Sequence, residues 1–238
     1  MSVKGGPNTV TSGLVLELDA GNIKSYPTTG TTWFDKSGNA NNGTLTNGPT
    51  FNTGSLGSIV FDGVDDYVKS TAVNGTGIMN PTLYGEVIGV NLWLQSTSNQ
   101  ANQYVITTGA FTGGLTGFCL VINDSGAGGN EFIGIVTSTK SYVLGSNFIG
   151  VNEWVNVCFT TDGTNMYTYK NGTLISTTAG SNVTGNSPSA NGLQLSGPND
   201  RVSSLFIGNI ALTQIYNKAL SANEVLQNYN ATKGRFSL

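Results

Sequence analysis

The densest run of oxygen ligands in the chain is Asp62-Gly63-Val64-Asp65-Asp66, three carboxylates in five positions. A second oxygen-rich stretch runs from Asp35 to Asn42 and holds Ser37, Asn39 and Asn41. Calcium takes roughly six to eight oxygen ligands from carboxylates, amide carbonyls and backbone, so Asp35, Asn39, Asp62, Asp65 and Asp66 are the candidate ligands of a calcium site. The same residues have a second reading, with Asp62-Gly63 as a turn and Asp66 as an acceptor of backbone amides. Glu17 and Asp19 alternate along one segment, which puts both carboxylates on one strand face. Retaining glycosidases need such a pair about 5 Å apart, one as nucleophile and one as acid. The other reading of Glu17 and Asp19 is that they face solvent or cap a turn. Aromatic faces beside amide and carboxylate groups suit sugar rings. Trp33, Tyr26, Tyr104 and Tyr142 are the candidates for carbohydrate contact, whereas Trp93 and Trp154 fall in apolar runs and read as core.

Composition removes other chemistry. The 238 residues include no His, 2 Cys and 10% charged residues, against roughly 25% in an average soluble domain. Without His there is no Ser-His-Asp triad and no His-ligated zinc. Cys119 and Cys158 are too few for a disulfide framework or a four-thiolate site. They lie in apolar segments and read as buried free thiols, with a disulfide open only if their strands are neighbours. A net charge of −3 argues against nucleic acid and anionic membrane surfaces as partners. No apolar run approaches the length of a membrane-spanning helix.

The scaffold that must position these residues reads as strands and tight turns, because the uncharged polar residues are mostly Thr, Ser, Asn and Gly. Leu14, Leu16 and Leu18 alternate with Val15, Glu17 and Asp19, the pattern of a half-buried strand. Further strand-length runs are 58–61, 67–70, 87–94, 104–107, 118–122, 132–137, 141–144, 154–160, 166–170, 173–178, 192–195 and 205–216. Asn171-Gly172 sits between two of them as a type I′ hairpin turn, and Asp162-Gly163 marks another, so 154–178 reads as a three-stranded meander. One helix is expected late in the chain. Ser221-Ala222-Asn223-Glu224 is a capping box, Val225, Leu226 and Tyr229 form an apolar stripe, and Gly234 supplies a stop. The helix is expected to plug one end of a sheet pair. Residues 1–12 are polar, lack the apolar core of a secretory signal, and read as an arm, either a flexible tail or a strand that docks on a neighbour. The remainder, 13–238, reads as one all-β sandwich domain.

The residues also carry a family likeness. Gly13-Leu-Val-Leu-Glu-Leu-Asp-Ala-Gly21 is followed by Trp33-Phe-Asp35-Lys-Ser37-Gly38-Asn39, then Ile59-Val-Phe61-Asp62-Gly63-Val-Asp65-Asp66-Tyr67, then Asn152-Glu-Trp154 and Tyr169-Lys-Asn171-Gly172. The end reads Ile215-Tyr216-Asn217-Lys-Ala219-Leu220-Ser221. This order resembles the laminin-G-like, concanavalin A-like lectin/glucanase superfamily over nearly the whole chain. The Leu18-Asp19-Ala20-Gly21-Asn22 opening, together with the Tyr229–Phe236 ending, is similar to structural proteins of tailed-phage virions. The resemblance implies an antiparallel two-sheet jelly roll with one concave sheet. It also implies one of three functions: sugar-binding module, glycosidase or lyase, or structural module. Enzymes of the superfamily carry a Glu-x-Asp-x-x-Glu pattern in mid-chain. Here Glu17-Leu18-Asp19 lacks the second Glu and lies in the first strand. The expectation is a non-enzymatic virion protein, a capsid decoration or fibre component. It would need no cofactor (calcium aside), contact other virion proteins, and be exposed on the particle after assembly in the host cytoplasm. Cell-surface glycans and further copies of itself are its other expected partners. A dedicated lectin and a polysaccharide-cleaving enzyme are the alternatives.

Overall fold

The computed structural model describes residues 7–70, 87–107, 119–122, 132–137, 140–143, 149–179, 192–198 and 204–238. Among these, sixteen strands form two antiparallel sheets. The first sheet runs β14 (Thr173–Ala179), β13 (Asn165–Lys170), β12 (Trp154–Asp162), β7 (Val87–Ser96), β16 (Ile207–Tyr216), β5 (Ser58–Asp62) and β4 (Thr50–Asn52). β1 (Leu14–Asp19) pairs with the second half of β16, in line with β5. The long strand β16 therefore lies at the centre of this sheet, bonded to β7 on one side and to β5 and β1 on the other. The second sheet runs β11 (Lys140–Val143), β10 (Phe132–Thr137), β9 (Cys119–Ile122), β8 (Gln103–Thr107), β15 (Leu193–Leu195), β6 (Tyr67–Ser70), β3 (Gly43–Thr46) and β2 (Thr32–Trp33).

Alternation explains how the layers assemble. Ile88, Val90, Leu92 and Leu94 of β7, Val155, Val157 and Phe159 of β12, and Leu16 and Leu18 of β1 point into the space between the sheets. They meet Val68, Ile106, Leu120, Ile122, Leu193 and Leu195 of the second sheet. The short strands β2, β3 and β4 do not stand out in the sequence. They fall in a region dense in Asn, Gly and Thr and are held by pairing rather than by an apolar pattern. The meander 154–178 is present as β12, β13 and β14. Its turn residues Asn171 and Gly172 have φ of 49° and 75°, the left-handed values a type I′ turn requires.

The helix α1 (Ala222–Thr232) starts on the expected capping box, with Ser221 accepting from the Glu224 amide and Glu224 reaching back to the Ser221 amide. Its placement differs from expectation. It does not plug an end of the sandwich but lies across the outer face of the first sheet. Its buried residues are Val225, Asn228 and Thr232, while Leu226 is exposed. The reason lies in the sheet beneath, where polar groups and a Trp need hydrogen-bond partners as well as apolar cover. The chain then passes into a 3-10 turn over Lys233–Arg235 rather than stopping at Gly234. The tail continues over the sheet, where Phe236 stacks on Trp93 with ring centroids 4.0 Å apart.

The expected arm is not a loose tail over its described part. Val10 is buried, and Asn8 and Val10 are hydrogen-bonded to the chain's own helix. Residues 1–6 lie outside the described residues. The two cysteines are buried and form no disulfide with each other, Cys119 lying on β9 of the second sheet and Cys158 on β12 of the first.

Candidate functional site

The two oxygen-rich stretches lie at opposite ends of β3, whose four residues span about 10 Å. They therefore cannot form one site. The Asp35 carboxylate accepts from the backbone amides of Glu17, Ser37 and Asn41 and from the Ser37 hydroxyl, all at 2.8–2.9 Å. Asn39 donates to Leu14 O and Val15 O, and Asn41 also donates to Val15 O. Together with the Lys36 amide on Glu17 O, these bonds fill the free edge of β1. The loop 35–41 thus does what another strand would do. It blunts an edge that would otherwise pair with a foreign chain. This accounts for Asp35 and Asn39 without a cation.

Asp62, Asp65 and Asp66 do converge, in the segment that carries the chain from β5 in one sheet to β6 in the other. Their carboxylate oxygens lie within 4.8 Å of one another. Asp66 is buried and accepts from the Asp62 amide at 3.1 Å, while Asp62 caps its own turn by accepting from the Val64 amide at 2.8 Å. Asn47 holds the far side by donating to Asp65 O. Burial pushes the Asp66 carboxyl above the usual carboxylate range, and the charges of Asp62 and Asp65 push the same way. The geometry serves both earlier readings, a turn with an amide-accepting Asp66 and a set of hard oxygen donors.

The aromatic candidates divide differently. Trp33 and Tyr26 are core residues, with Trp33 fully buried and Tyr26 donating its hydroxyl to Gly30 O. The two rings meet edge-on at 6.5 Å, so neither offers a face to a sugar. Strand alternation is the cause: β2 turns Trp33 inward and leaves the next residue, Phe34, outward at 42% exposure. Among the described residues Phe34 is the exposed aromatic that the sequence reading passes over, and the register of β2 reveals it. Tyr104 is half-buried on β8. The backbone of Tyr142 on β11 pairs with Gly134 on β10, and the Tyr142 side chain lies outside the described residues. β8 is three strand spacings, about 14 Å, from β11 and four, about 19 Å, from β2, so Tyr104 and Tyr142 share a subsite neither with each other nor with Trp33.

On the outer face of the first sheet lies a feature that sequence patterning did not isolate. Asn156 of β12 donates to Asn91 of β7 at 3.0 Å, Asn91 donates to Gln214 of β16 at 3.0 Å, and Gln214 donates to the Glu17 carboxylate on β1 at 2.8 Å. The three amide residues are fully buried. The row is directional, since each amide gives its N–H to the next oxygen and the last acceptor is a carboxylate. Burial raises the Glu17 carboxyl above its ordinary value, opposed by the Gln214 bond and Lys36 and reinforced by Asp19 and Asp35. A raised carboxyl makes its full contribution to stability below the unfolded-state pKa and loses it as pH climbs through the folded-state pKa. Glu17→Gln keeps an oxygen for Gln214 and removes the charge. The variant is therefore expected to melt at a higher temperature than the parent at pH 7 and at the same temperature below about pH 4. Thermal scans across that range check it, and equal melting temperatures at pH 7 would contradict it.

Asp19, the alternate carboxylate, pairs instead with Arg235 at 2.7 Å, and Arg235 also donates to Gly57 O. Gly21 lies directly beneath the guanidinium, where a Cβ would fall 2.3 Å from it. Each member of the Glu17/Asp19 pair is thus bound to a separate structural partner.

A family model described as the concanavalin A-like lectin/glucanases superfamily matches residues 61–226. Among solved structures, the chain is similar to the receptor binding domain of botulinum neurotoxin type G, with a TM-score of 0.65 and 17% identity over 92% of this chain and 51% of that one. It is similar to a mutant Trypanosoma rangeli sialidase displaying trans-sialidase activity, with a TM-score of 0.70 and 14% identity over 97% and 35%. It is also similar to the binding domain of Paraclostridial mosquitocidal protein 1, with a TM-score of 0.66 and 16% identity over 92% and 52%. The chain thus spans about a third to a half of the length of these proteins. No curated protein sequence matches it.

Proposed function

Since the chain belongs to the concanavalin A-like lectin/glucanase superfamily, we propose that it is a non-enzymatic structural protein of a tailed-phage virion. In this reading it is a capsid decoration or fibre component whose sandwich is displayed outward and binds host-surface glycans. The observation that carries the reading is the clasp between Asp19 and Arg235. It joins the opening 18–22 to the ending 229–236, the two stretches in which the sequence is similar to virion proteins. The similarity therefore covers one physical element that closes the domain, not two unrelated strings. Binding without cleavage is supported by the engagement of Glu17 with Gln214 and of Asp19 with Arg235. It is supported further by the fold shared with two domains named for binding.

A glycan array on the purified protein, with product analysis on the same polysaccharides, tests the proposal. Saturable binding without released product is the expected result. Released oligosaccharide would overturn the non-enzymatic reading, and neither binding nor product would remove the glycan and leave a structural decoration. Immunogold labelling of particles tests the virion placement directly.

Calcium is the one ion this reading includes, held by Asp62, Asp65 and Asp66. Saturating calcium at 100 times Kd stabilises a folded protein by about 2.7 kcal/mol. For a chain of this size that is a rise in melting temperature of about 5–10 °C. Calcium added to metal-stripped protein is expected to give that rise, and the double substitution Asp65→Asn, Asp66→Asn is expected to abolish it. No shift at millimolar calcium would leave the three acids as turn residues.

A further inference from the structure

Three Asn-Gly pairs lie wholly within the described residues, at 42–43, 47–48 and 171–172. In such a pair the side-chain amide carbon is open to the next backbone nitrogen, because Gly has no Cβ in the way. The fold shields two of the three. Gly43 is buried in β3, where a Cβ would stand 2.7 Å from Val68 Cγ1 and 3.3 Å from Leu18 Cδ1. Asn42 Oδ1 accepts from the Asp35 amide at 2.9 Å. Gly172 lies against Tyr229 and Leu226, whose atoms are 3.0–3.2 Å from its Cβ position. Asn171 is held twice by Asn156: its Oδ1 accepts from the Asn156 amide, and its own amide donates to Asn156 O.

The third pair is open. Asn47 and Gly48 are both exposed, in the segment that carries the chain from β3 of the second sheet to β4 of the first. Only Asp66 Oδ1 comes within 4 Å of the Gly48 Cβ position, at 3.8 Å. Among the described residues nothing accepts from the Gly48 N–H. The Asn47 side chain is tied at its nitrogen, with Nδ2 donating to Asp65 O at 2.9 Å. We propose that Asn47-Gly48 is a site of spontaneous deamidation, at which the folded chain converts Asn47 to aspartate or isoaspartate while Asn42 and Asn171 are spared.

The chemistry needs only water. The Gly48 nitrogen attacks Asn47 Cγ, so that an N–Cγ bond forms and the Cγ–Nδ2 bond breaks. Nδ2 leaves as ammonia, taking up the proton that the Gly48 nitrogen gives away. Water then opens the cyclic imide at either carbonyl, leaving a carboxylate where the amide was. The change is one-way and has a structural consequence. Asp65 O loses its Asn47 donor, and a fourth carboxylate arrives beside Asp62, Asp65 and Asp66. Like charges so placed repel one another. The segment that crosses between the sheets thus becomes more acidic and less firmly held as the protein ages. None of this depends on glycan or calcium binding.

The test holds the full-length, folded protein in warm, mildly alkaline buffer and follows it by peptide mapping, with fragment-ion sequencing to separate Asn42 from Asn47. Position 47 is expected to exchange NH2 for OH more than about tenfold faster than positions 42 and 171, a barrier difference of about 1.4 kcal/mol. In denaturant the three pairs are expected to react at similar rates, because the fold is what shields two of them. Asn47→Asp, which reproduces the aspartate product, is expected to melt about 2–4 °C below the parent in metal-free buffer. Equal rates at the three pairs in the folded chain, or an intact Asn47 after Asn171 has reacted, would overturn the proposal. Equal melting temperatures for Asn47→Asp and the parent would overturn its consequence for the crossing segment.

Discussion

Trp93→Ala is expected to destabilise the fold by about 3–5 kcal/mol, the range for removing a large buried aromatic. In a chain of this size that lowers the melting temperature by about 6–20 °C. Trp93 is fully buried on the outer face of β7, sandwiched between Phe236 at 4.0 Å and Tyr229 at 5.8 Å, both nearly parallel to it. Its indole N–H donates to Thr232 at 2.7 Å. Three residues of the helix and tail depend on this one ring, so its loss frees the C-terminal cover along with the cavity it leaves. Trp93→Phe keeps the stacking and loses the Thr232 bond, and its expected cost is the smaller one of about 1–2 kcal/mol. Denaturant melts of both variants check this. A loss below about 1 kcal/mol for the alanine variant would mean that the tail does not pack as described.

Asn91→Leu is expected to cost about 2–4 kcal/mol, although it puts a hydrophobic residue of similar size in a buried place. Asn91 is the middle of the directed row, accepting from Asn156 and donating to Gln214. Its replacement strips the Gln214 oxygen of its donor. It also takes one of the two acceptors from the Asn156 amide, which keeps Leu92 O. A buried group without a partner costs about 1–3 kcal/mol, and low local dielectric makes such rows strongly non-additive. Asn156→Leu and Gln214→Leu added in the same chain are therefore expected to recover most of the loss. Three equal and additive losses in chemical denaturation would contradict the cooperative row.

The architecture was readable in sequence wherever periodicity and turn chemistry agreed. The alternation of Leu14, Leu16 and Leu18, the Asn171-Gly172 turn and the Ser221/Glu224 box each impose one local geometry, and each is found in place. The superfamily likeness agreed with the family match. The outer face was less legible. Asn91, Asn156 and Gln214 look like solvent-facing residues in an amphipathic strand, because the helix and tail that cover them arrive more than a hundred residues after β7. Leu226 belongs to the apolar stripe yet is exposed, and Asn228 is buried, for the same reason. A helix that packs on polar groups buries polar residues, and hydrophobic periodicity is blind to that. Trp33 and Tyr26 stayed ambiguous because a large aromatic beside Gly and Thr serves a sugar site or a core equally well. A two-residue strand carries too little pattern to say which way it faces. Asp62, Asp65 and Asp66 were legible as a cluster because they are contiguous. Asp35 and Asn39 joined them on composition alone, and the length of β3 separates them.

The position of β16 sets a timetable for making the protein. The strand that joins β7 to β1 and β5 begins at Ile207, whereas β1 ends at Asp19. At about 5–20 residues per second, a ribosome leaves β1 waiting about 10–40 s for its partner. Until then the first sheet has a gap at its centre, and every chain cut short before residue 207 lacks the strand that fills it. The first sheet therefore closes in one step, when Ile207–Tyr216 has been made and joins strands that have stood apart until then.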